Sequence, residues 1–321
     1  MKTAVISIAM TALCACSHSI YQRQADEFLA NMSPGLQDRQ ADAIVQAING
    51  DCSALNRVRN SRNSCPEISA NVDTCTLNPT MRLYSPINCD RHLPLLIYLH
   101  GGGWTFGSIN SCARFCNAIA SSGKIKVLAV DYRLAPEHPF PEGLDDCCDA
   151  VEYAIDKATT LGIDTDKISV GGDSSGGNLS LATAIRCKGK IDKLLLFYPV
   201  TKAFADGSQS WERYASGFGL DARIMNEFNR AYTLRAEASD TLISPGLCSS
   251  ATLTNLPPTL LVAAQRDILC DQGREFAAKA PNTVTRVEIP MAVHLFITVP
   301  GQPAAFDRAV ALALDFLVGQ Y

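Results

Sequence analysis

Seven residues limit what this chain can become. Gly172-Asp173-Ser174-Ser175-Gly176-Gly177-Asn178 lies between an apolar, strand-like run, Lys167-Ile168-Ser169-Val170, and a helix-like run from Leu179 to Cys187. G-x-S-x-G between a strand and a helix makes a sharp turn that pushes its serine out of the backbone, where a base can reach the hydroxyl. Glycines on either side let strand and helix approach without Cβ clashes. A central Ser175 would need glycine at 173, which is Asp, so the glycine register selects Ser174. A glycine-rich βα turn has no chemistry by itself, and the rest of the chain decides its use.

From about residue 81 onward, apolar runs of strand length alternate with helical ones. The strands are expected at Leu93–Leu99, Ile125–Val130, Ile168–Val170, Leu194–Tyr198, Thr259–Ala264 and Val284–Ile289. The helices are expected at Cys112–Ser121, Gly143–Thr160, Leu179–Cys187, Gln272–Ala280 and Ala304–Val318. Such alternation predicts an α/β fold with a mostly parallel sheet covered on both faces. Residues 200–245 break the pattern, with only Ala222–Ala231 helix-like, and read as an insertion over the C-terminal edge of the sheet. Residues 20–80 read as an N-terminal arm or cap. Helices are expected at Tyr21–Met32 and Gln37–Asn49, then loop from 51 to 75. With 20–60, the insertion would form a lid. The catalytic domain is then 81–321.

The balance of 28 Lys and Arg against 32 Asp and Glu gives a net charge of −4, so nothing favours a nucleic-acid partner. Thirteen cysteines without a C-x-x-C pair argue against zinc. Cys52, Cys65, Cys75 and Cys89 are disulfide candidates if the chain is exported. Export is what residues 1–19 predict: Lys2, an apolar run from Ala4 to Leu13, then small residues, too short to span a bilayer comfortably. Leu13-Cys14-Ala15-Cys16 also resembles the lipobox of bacterial lipoproteins, which implies Cys16 as a lipidated mature N-terminus. The expected location is periplasmic or membrane-anchored, or alternatively secreted, with the anchor as the one membrane contact.

A serine nucleophile needs a base, an acid to orient the base, and donors aimed at the oxyanion. His100-Gly101-Gly102-Gly103-Trp104 directly follows the strand Leu93–Leu99, and its glycines let N–H groups turn toward a ligand. Gly102 and Gly103 are the leading donors, with Gly101 behind them and the N–H of Ser175 opposite. Of the five histidines, at 18, 92, 100, 138 and 294, only His294 follows Ser174. In the chain order nucleophile, acid, base, it is the one candidate. Asp267 is the first carboxylate past the strand Thr259–Ala264 and is favoured as the acid. Asp271 competes, although capping the helix near Gln272 would account for it, and Asp240 is a distant third.

These residues resemble the hormone-sensitive-lipase-like α/β-hydrolases, a group of bacterial carboxylesterases and acetyl esterases. The glycine loop 100–104, the segment Asp131-Tyr132-Arg133-Leu134-Ala135-Pro136-Glu137-His138-Pro139-Phe140-Pro141 and the turn 172–178 carry the resemblance, which covers roughly 81–321. It implies an α/β-hydrolase fold with a small helical cap. It implies hydrolysis of a small-molecule ester through an acyl-enzyme on Ser174, with His294 as base, Asp267 as its orienter and no metal or organic cofactor. It assigns Asp173 and residues 131–141 to shaping the site. Two departures stand out: Ile268 where the family's acid segment has proline, and Leu295 where glycine usually follows the histidine. Leu295 adds bulk beside the base. An amidase or deacetylase, or a binding protein that has lost catalysis, are the rival readings, and the retained His294 opposes the second.

Overall fold

The computed structural model describes residues 19–87 and 92–319. The leader reading, with Cys14 and Cys16, and the thiol of Cys89 lie outside the described residues. Eight strands form one sheet: β1 (Val72–Asn78), β2 (Met81–Pro86), β3 (Leu93–Leu99), β4 (Lys126–Val130), β5 (Ile163–Asp173), β6 (Leu194–Phe197), β7 (Thr259–Arg266) and β8 (Val284–Val293). Their spatial order is β1-β2-β4-β3-β5-β6-β7-β8. β2 runs antiparallel to both its neighbours, and every pair from β4 across to β8 is parallel.

β3, β4, β6 and residues 168–173 of β5 are almost wholly buried because both faces are covered, whereas Thr165, Asp166 and Lys167 near the start of β5 are exposed. On β3, Leu95, Ile97 and Leu99 enter one core while Leu96 and Tyr98 enter the other. The first core lies beneath the helices Glu142–Asp156, Ser175–Arg186 and Cys270–Lys279; the second lies beneath Ala113–Ala120 and Pro303–Val318. β5 sits between β3 and β6, so the turn after β5 emerges beside the loop after β3. Parallel register places Leu99 opposite Gly172.

The sheet begins earlier than residue 81. The stretch expected to be loop, 51–75, contains the helix Ser53–Ser61 and the start of β1. β1 is the outermost strand, and Asp73, Thr74, Cys75 and Thr76 are exposed. Its polar sequence lacks the apolar signal of a buried strand because one edge and most of its side chains face water. Among the described residues, Cys52, Cys65 and Cys75 are free thiols, contrary to the disulfide expectation. They lie on separate elements: a helix cap, a loop and the edge strand.

A helix over residues 19–30, the helices Leu36–Ile48 and Ser53–Ser61, and the insertion helices Gln209–Arg213 and Ala222–Tyr232 gather over the C-terminal end of the sheet. Residues 200–245 contain no strand. Ala222–Tyr232 buries Ile224, Met225, Phe228, Ala231 and Tyr232 along one face, at the spacing of an amphipathic helix. It meets Leu36–Ile48 through Arg223, paired with Asp38 at 2.8 Å and Asp42 at 2.5 Å, and through the Asp221 N–H donated to Gln37 Oε1 at 2.7 Å. Exposed ion pairs contribute at most about 1 kcal/mol each, so the apolar face holds this contact.

Candidate active site

β5 ends at Asp173, and the helix Ser175–Arg186 begins two residues on. Ser174 between them has φ 53° and ψ −117°, a backbone state that costs a non-glycine residue about 1–3 kcal/mol. The surroundings enforce it. The Ser174 N–H donates to Phe197 O at 2.9 Å, and its carbonyl accepts from Val200 N at 3.2 Å. A Cβ on Gly172 would lie 2.3 Å from Leu99 O, and one on Gly176 would lie 2.0 Å from the same oxygen. No side chain fits at either position. The buried Asn178 side chain donates to Val200 O and Ile243 O, both at 2.9 Å, tying the turn to the insertion.

The structure brings Ser174, His294 and Asp267 together from three separate connections. His294 Nε2 is 3.1 Å from Ser174 Oγ, and His294 Nδ1 is 2.6 Å from Asp267 Oδ2. Asp267 and His294 are each 1% exposed and Ser174 7%, so solvent scarcely competes for these hydrogen bonds. A carboxylate only accepts, so Nδ1 carries the ring hydrogen and Nε2 offers a lone pair to the serine. Asp267 Oδ1 accepts from Leu269 N at 3.0 Å, which fixes the carboxylate plane. Asp271 is elsewhere. It lies in the first turn of the helix Cys270–Lys279, not at its cap, where it accepts from Ser210 N at 2.8 Å and pairs with Arg274. Asp240 accepts from Leu242 N at 2.8 Å, in the insertion.

Of the glycine loop, Gly102 and Gly103 have φ of 128° and 60°, conformations that favour glycine, and both border the cavity over Ser174. Gly101 is different. Its N–H donates to Asp173 Oδ1 at 3.0 Å, and so is directed away from any oxyanion. The candidate donors therefore narrow to Gly102 and Gly103, with the Ser175 N–H at the start of its helix. Asp173 is buried and also accepts from Tyr98 Oη at 3.0 Å. Burial pushes its carboxyl above the usual range, against the lowering effect of those two donors. Segment 131–141 braces the same loop. Tyr132 stacks on His100 and donates to His100 O at 2.6 Å, and the Ala135 N–H donates to Trp104 O at 2.9 Å.

Sequence reasoning missed three supports of the histidine loop. Gln302 accepts from Val293 N at 3.0 Å and donates to Val293 O and His294 O, each at 3.2 Å. Tyr198 packs against the His294 ring at 4.4 Å between centroids and accepts from Ile297 N at 3.2 Å. The arm supplies Phe28 to the cavity wall. Glutamine and tyrosine have no motif spacing to reveal such a role. Leu295 has φ 74°, a left-handed conformation better suited to glycine.

Two cavities meet at Ser174, Gly102 and Leu295. One, of about 340 Å³, is walled by Phe28, Met32, Leu220, Ile224 and Phe228 and includes His294. The second, of about 450 Å³, has a mostly apolar surface that carries Asn110, Ser111, Arg114 and Asp173, and Arg62 borders both cavities. A larger hollow of about 1110 Å³ lies at the opposite end of the sheet, beside Leu93, Lys167 and Thr259, and borders none of the residues above. Among the described residues, no group of three or more His, Cys, Asp or Glu is placed to hold a metal ion, and no helix is long and apolar enough to cross a membrane.

The family model for the alpha/beta hydrolase fold matches residues 96–298. An arylesterase of Saccharolobus solfataricus is 37% identical over 201 residues, 61% of this chain and 65% of that protein. An ethyl acetate hydrolase of Pseudomonas putida is 34% identical over 248 residues, 74% of this chain and 77% of that one. Among solved structures, an ester-hydrolase from the metagenome of Lake Arreo superposes with a TM-score of 0.71 at 28% identity, covering 89% of this chain and 99% of its own. With its elbow, glycine loop and late histidine on that sheet, the chain belongs to the hormone-sensitive-lipase-like family of α/β-hydrolases.

Proposed function

We propose that the protein is a serine carboxylesterase acting on short-chain esters, with Ser174, His294 and Asp267 as its catalytic residues. The single observation that carries the reading is the unbroken hydrogen-bonded line Asp267–His294–Ser174, ending beneath two cavities. Relatives named as esterases support the reaction class.

Ser174 Oγ attacks the acyl carbon as His294 Nε2 takes its proton. The N–H groups of Gly102, Gly103 and Ser175 receive the oxyanion. His294 then gives that proton to the alkoxy oxygen as the bond to the acyl carbon breaks, and the alcohol leaves. Water, deprotonated by the same nitrogen, attacks the acyl-enzyme. The acid departs and Ser174 recovers its proton. Asp267 holds the ring in the tautomer that can accept, and stabilises its charged form. The helices over residues 19–61 and the insertion 200–245 serve as the lid. Export, with acylation at Cys16, belongs to the same proposal and rests on residues 1–19 alone; the mass of the mature N-terminus checks it.

The test is hydrolysis of p-nitrophenyl acetate, butyrate and longer esters, and of p-nitroacetanilide, by the wild type and Ser174→Ala. The expected result is ester turnover, fastest on short acyl chains and falling at least about a thousandfold in the variant. Equal rates for the two proteins on every substrate would refute it. A preference for the anilide would turn the reading to an amidase.

A further inference from the structure

The second cavity, of about 450 Å³, is lined by two arginines that form no ion pair among the described residues, and one of them, Arg62, also borders the first. Arg114 Nη1 is buried and has no hydrogen-bond partner among the described residues; its guanidinium lies over the Phe306 ring, 3.6 Å from the centroid. Asp307 acts on it only from a distance. The Arg62 side chain makes no hydrogen bond or ion pair among the described residues, only a contact over Phe106 at 5.2 Å. Nearby Arg59 is an instructive contrast. It is locked to Glu137 at 2.7 Å and to two backbone carbonyls. Desolvation draws both Arg62 and Arg114 below the usual arginine value, as expected of cations lacking an anion. An arginine that lines a cavity beside a nucleophile and has no ion-pair partner offers its donors to a ligand carboxylate.

The histidine decides which part of a substrate enters this cavity. The leaving oxygen must come within reach of His294 Nε2, and His294 borders the first cavity, of about 340 Å³, but not the second. The alcohol portion therefore occupies the first cavity, and the acyl chain extends from Ser174 into the second, toward Arg114 and toward Arg62 at the border of the two. Asp173 also borders the second cavity: its Oδ1 is engaged by Tyr98 and Gly101, its Oδ2 is buried with no hydrogen-bond partner among the described residues, and two guanidiniums outnumber this one carboxyl.

Resting on the esterase reading above, we infer that the preferred substrates are monoesters of dicarboxylic acids, with an apolar alcohol in one cavity and the free acyl-side carboxylate bound by Arg62 and Arg114 in the other. A guanidinium recognises a carboxylate through paired, charge-assisted hydrogen bonds, which gives direction as well as affinity. The carboxylate stays bound at the acyl-enzyme stage and leaves with the diacid.

The experiment compares monobutyl adipate with butyl hexanoate, its neutral counterpart, by butanol release, for the wild type, Arg62→Gln and Arg114→Gln. The expected wild-type kcat/KM is at least about tenfold higher on the monoester, and added salt weakens the preference. In each variant the ratio of the two kcat/KM values falls about tenfold or more, through KM for the monoester. The ratio within one preparation does not depend on how much of a variant has folded. A wild type that turns over butyl hexanoate as well as the monoester, or a ratio unmoved by both substitutions, overturns the inference and leaves the esterase reading intact. A preference for a carboxylate on the alcohol side overturns it too. A wild type inert on both compounds and on p-nitrophenyl esters would instead sink the esterase reading, and this inference with it.

Discussion

Replacing Asp267 by asparagine alters one oxygen and reverses a hydrogen bond. In the native site Oδ1 accepts from Leu269 N at 3.0 Å, and Oδ2 receives the His294 Nδ1 hydrogen at 2.6 Å. The buried Leu269 N–H holds its acceptor, so in Asp267→Asn the amide oxygen takes the Oδ1 position and the NH2 group faces the ring. An NH2 group donates, so Nδ1 becomes the acceptor and the ring hydrogen moves to Nε2, 3.1 Å from Ser174 Oγ. There it cannot take the serine proton. The wrong tautomer in a comparable serine–histidine–aspartate site costs about 10⁴ in kcat, or about 5 kcal/mol of transition-state stabilisation. Volume is unchanged and Leu269 keeps its acceptor, so stability should shift by no more than about 1–2 kcal/mol. The assay is kcat on p-nitrophenyl butyrate, with thermal unfolding as the control. Asp271→Asn is the comparison: it loosens Ser210 and Arg274 without touching His294, and kcat should stay within about threefold. If Asp267→Asn loses less than about tenfold, or Asp271→Asn loses as much, the assignment of Asp267 is wrong.

Three further outcomes follow from the same geometry. Gln302→Ala removes three hydrogen bonds from Val293 and His294, and is expected to cost about 1–3 kcal/mol in unfolding experiments and to lower kcat more than it raises KM. Leu295→Gly relieves a left-handed strain of about 1–2 kcal/mol while losing packing, so Tm should move little; the wall shared by the two cavities thins, and activity on branched acyl esters should rise relative to acetate. Asp173→Asn addresses a carboxyl whose folded pKa lies above its unfolded value. The folded state then holds the proton more tightly, so wild-type stability falls as pH rises from the unfolded pKa, near 3.8, through the raised folded pKa, and stays lower above it. The variant should therefore gain in Tm over the wild type at neutral pH, and the gain should shrink as the pH is lowered through that window.

The sheet was legible where strands are buried on both faces. β3 is mostly Leu with Ile97 and Tyr98, and β7 runs Leu260-Leu261-Val262-Ala263-Ala264, both the apolar run of a buried strand. β1 was hidden because an edge strand with exposed Asp73 and Thr76 carries no apolar pattern. Ser174 and His294 could be chosen from glycine register and chain order, both of which are one-dimensional facts. The geometry that joins them to Asp267 is local to strand ends, and the first acidic residue after a strand is a short extrapolation. Gly101 was harder. Nothing in three consecutive glycines tells which N–H a neighbouring carboxylate will take; that depends on Asp173 lying across the sheet from it. The two-cavity floor plan was also beyond reach, since Arg62 and Arg114 come from separate elements and meet only through folding.

The carbonyl of Leu99 occupies the space that side chains at Gly172 and Gly176 would need. The end of β3 thus serves as a mechanical stop for the nucleophile turn, and the same strand end launches the glycine loop. Attack and charge stabilisation are gauged from one backbone atom, with no side chain in the measurement. Substitutions in the helices above can then redraw the cavities through generations of drift without altering that gauge. A lineage built this way can explore new esters while its reaction geometry is inherited unchanged.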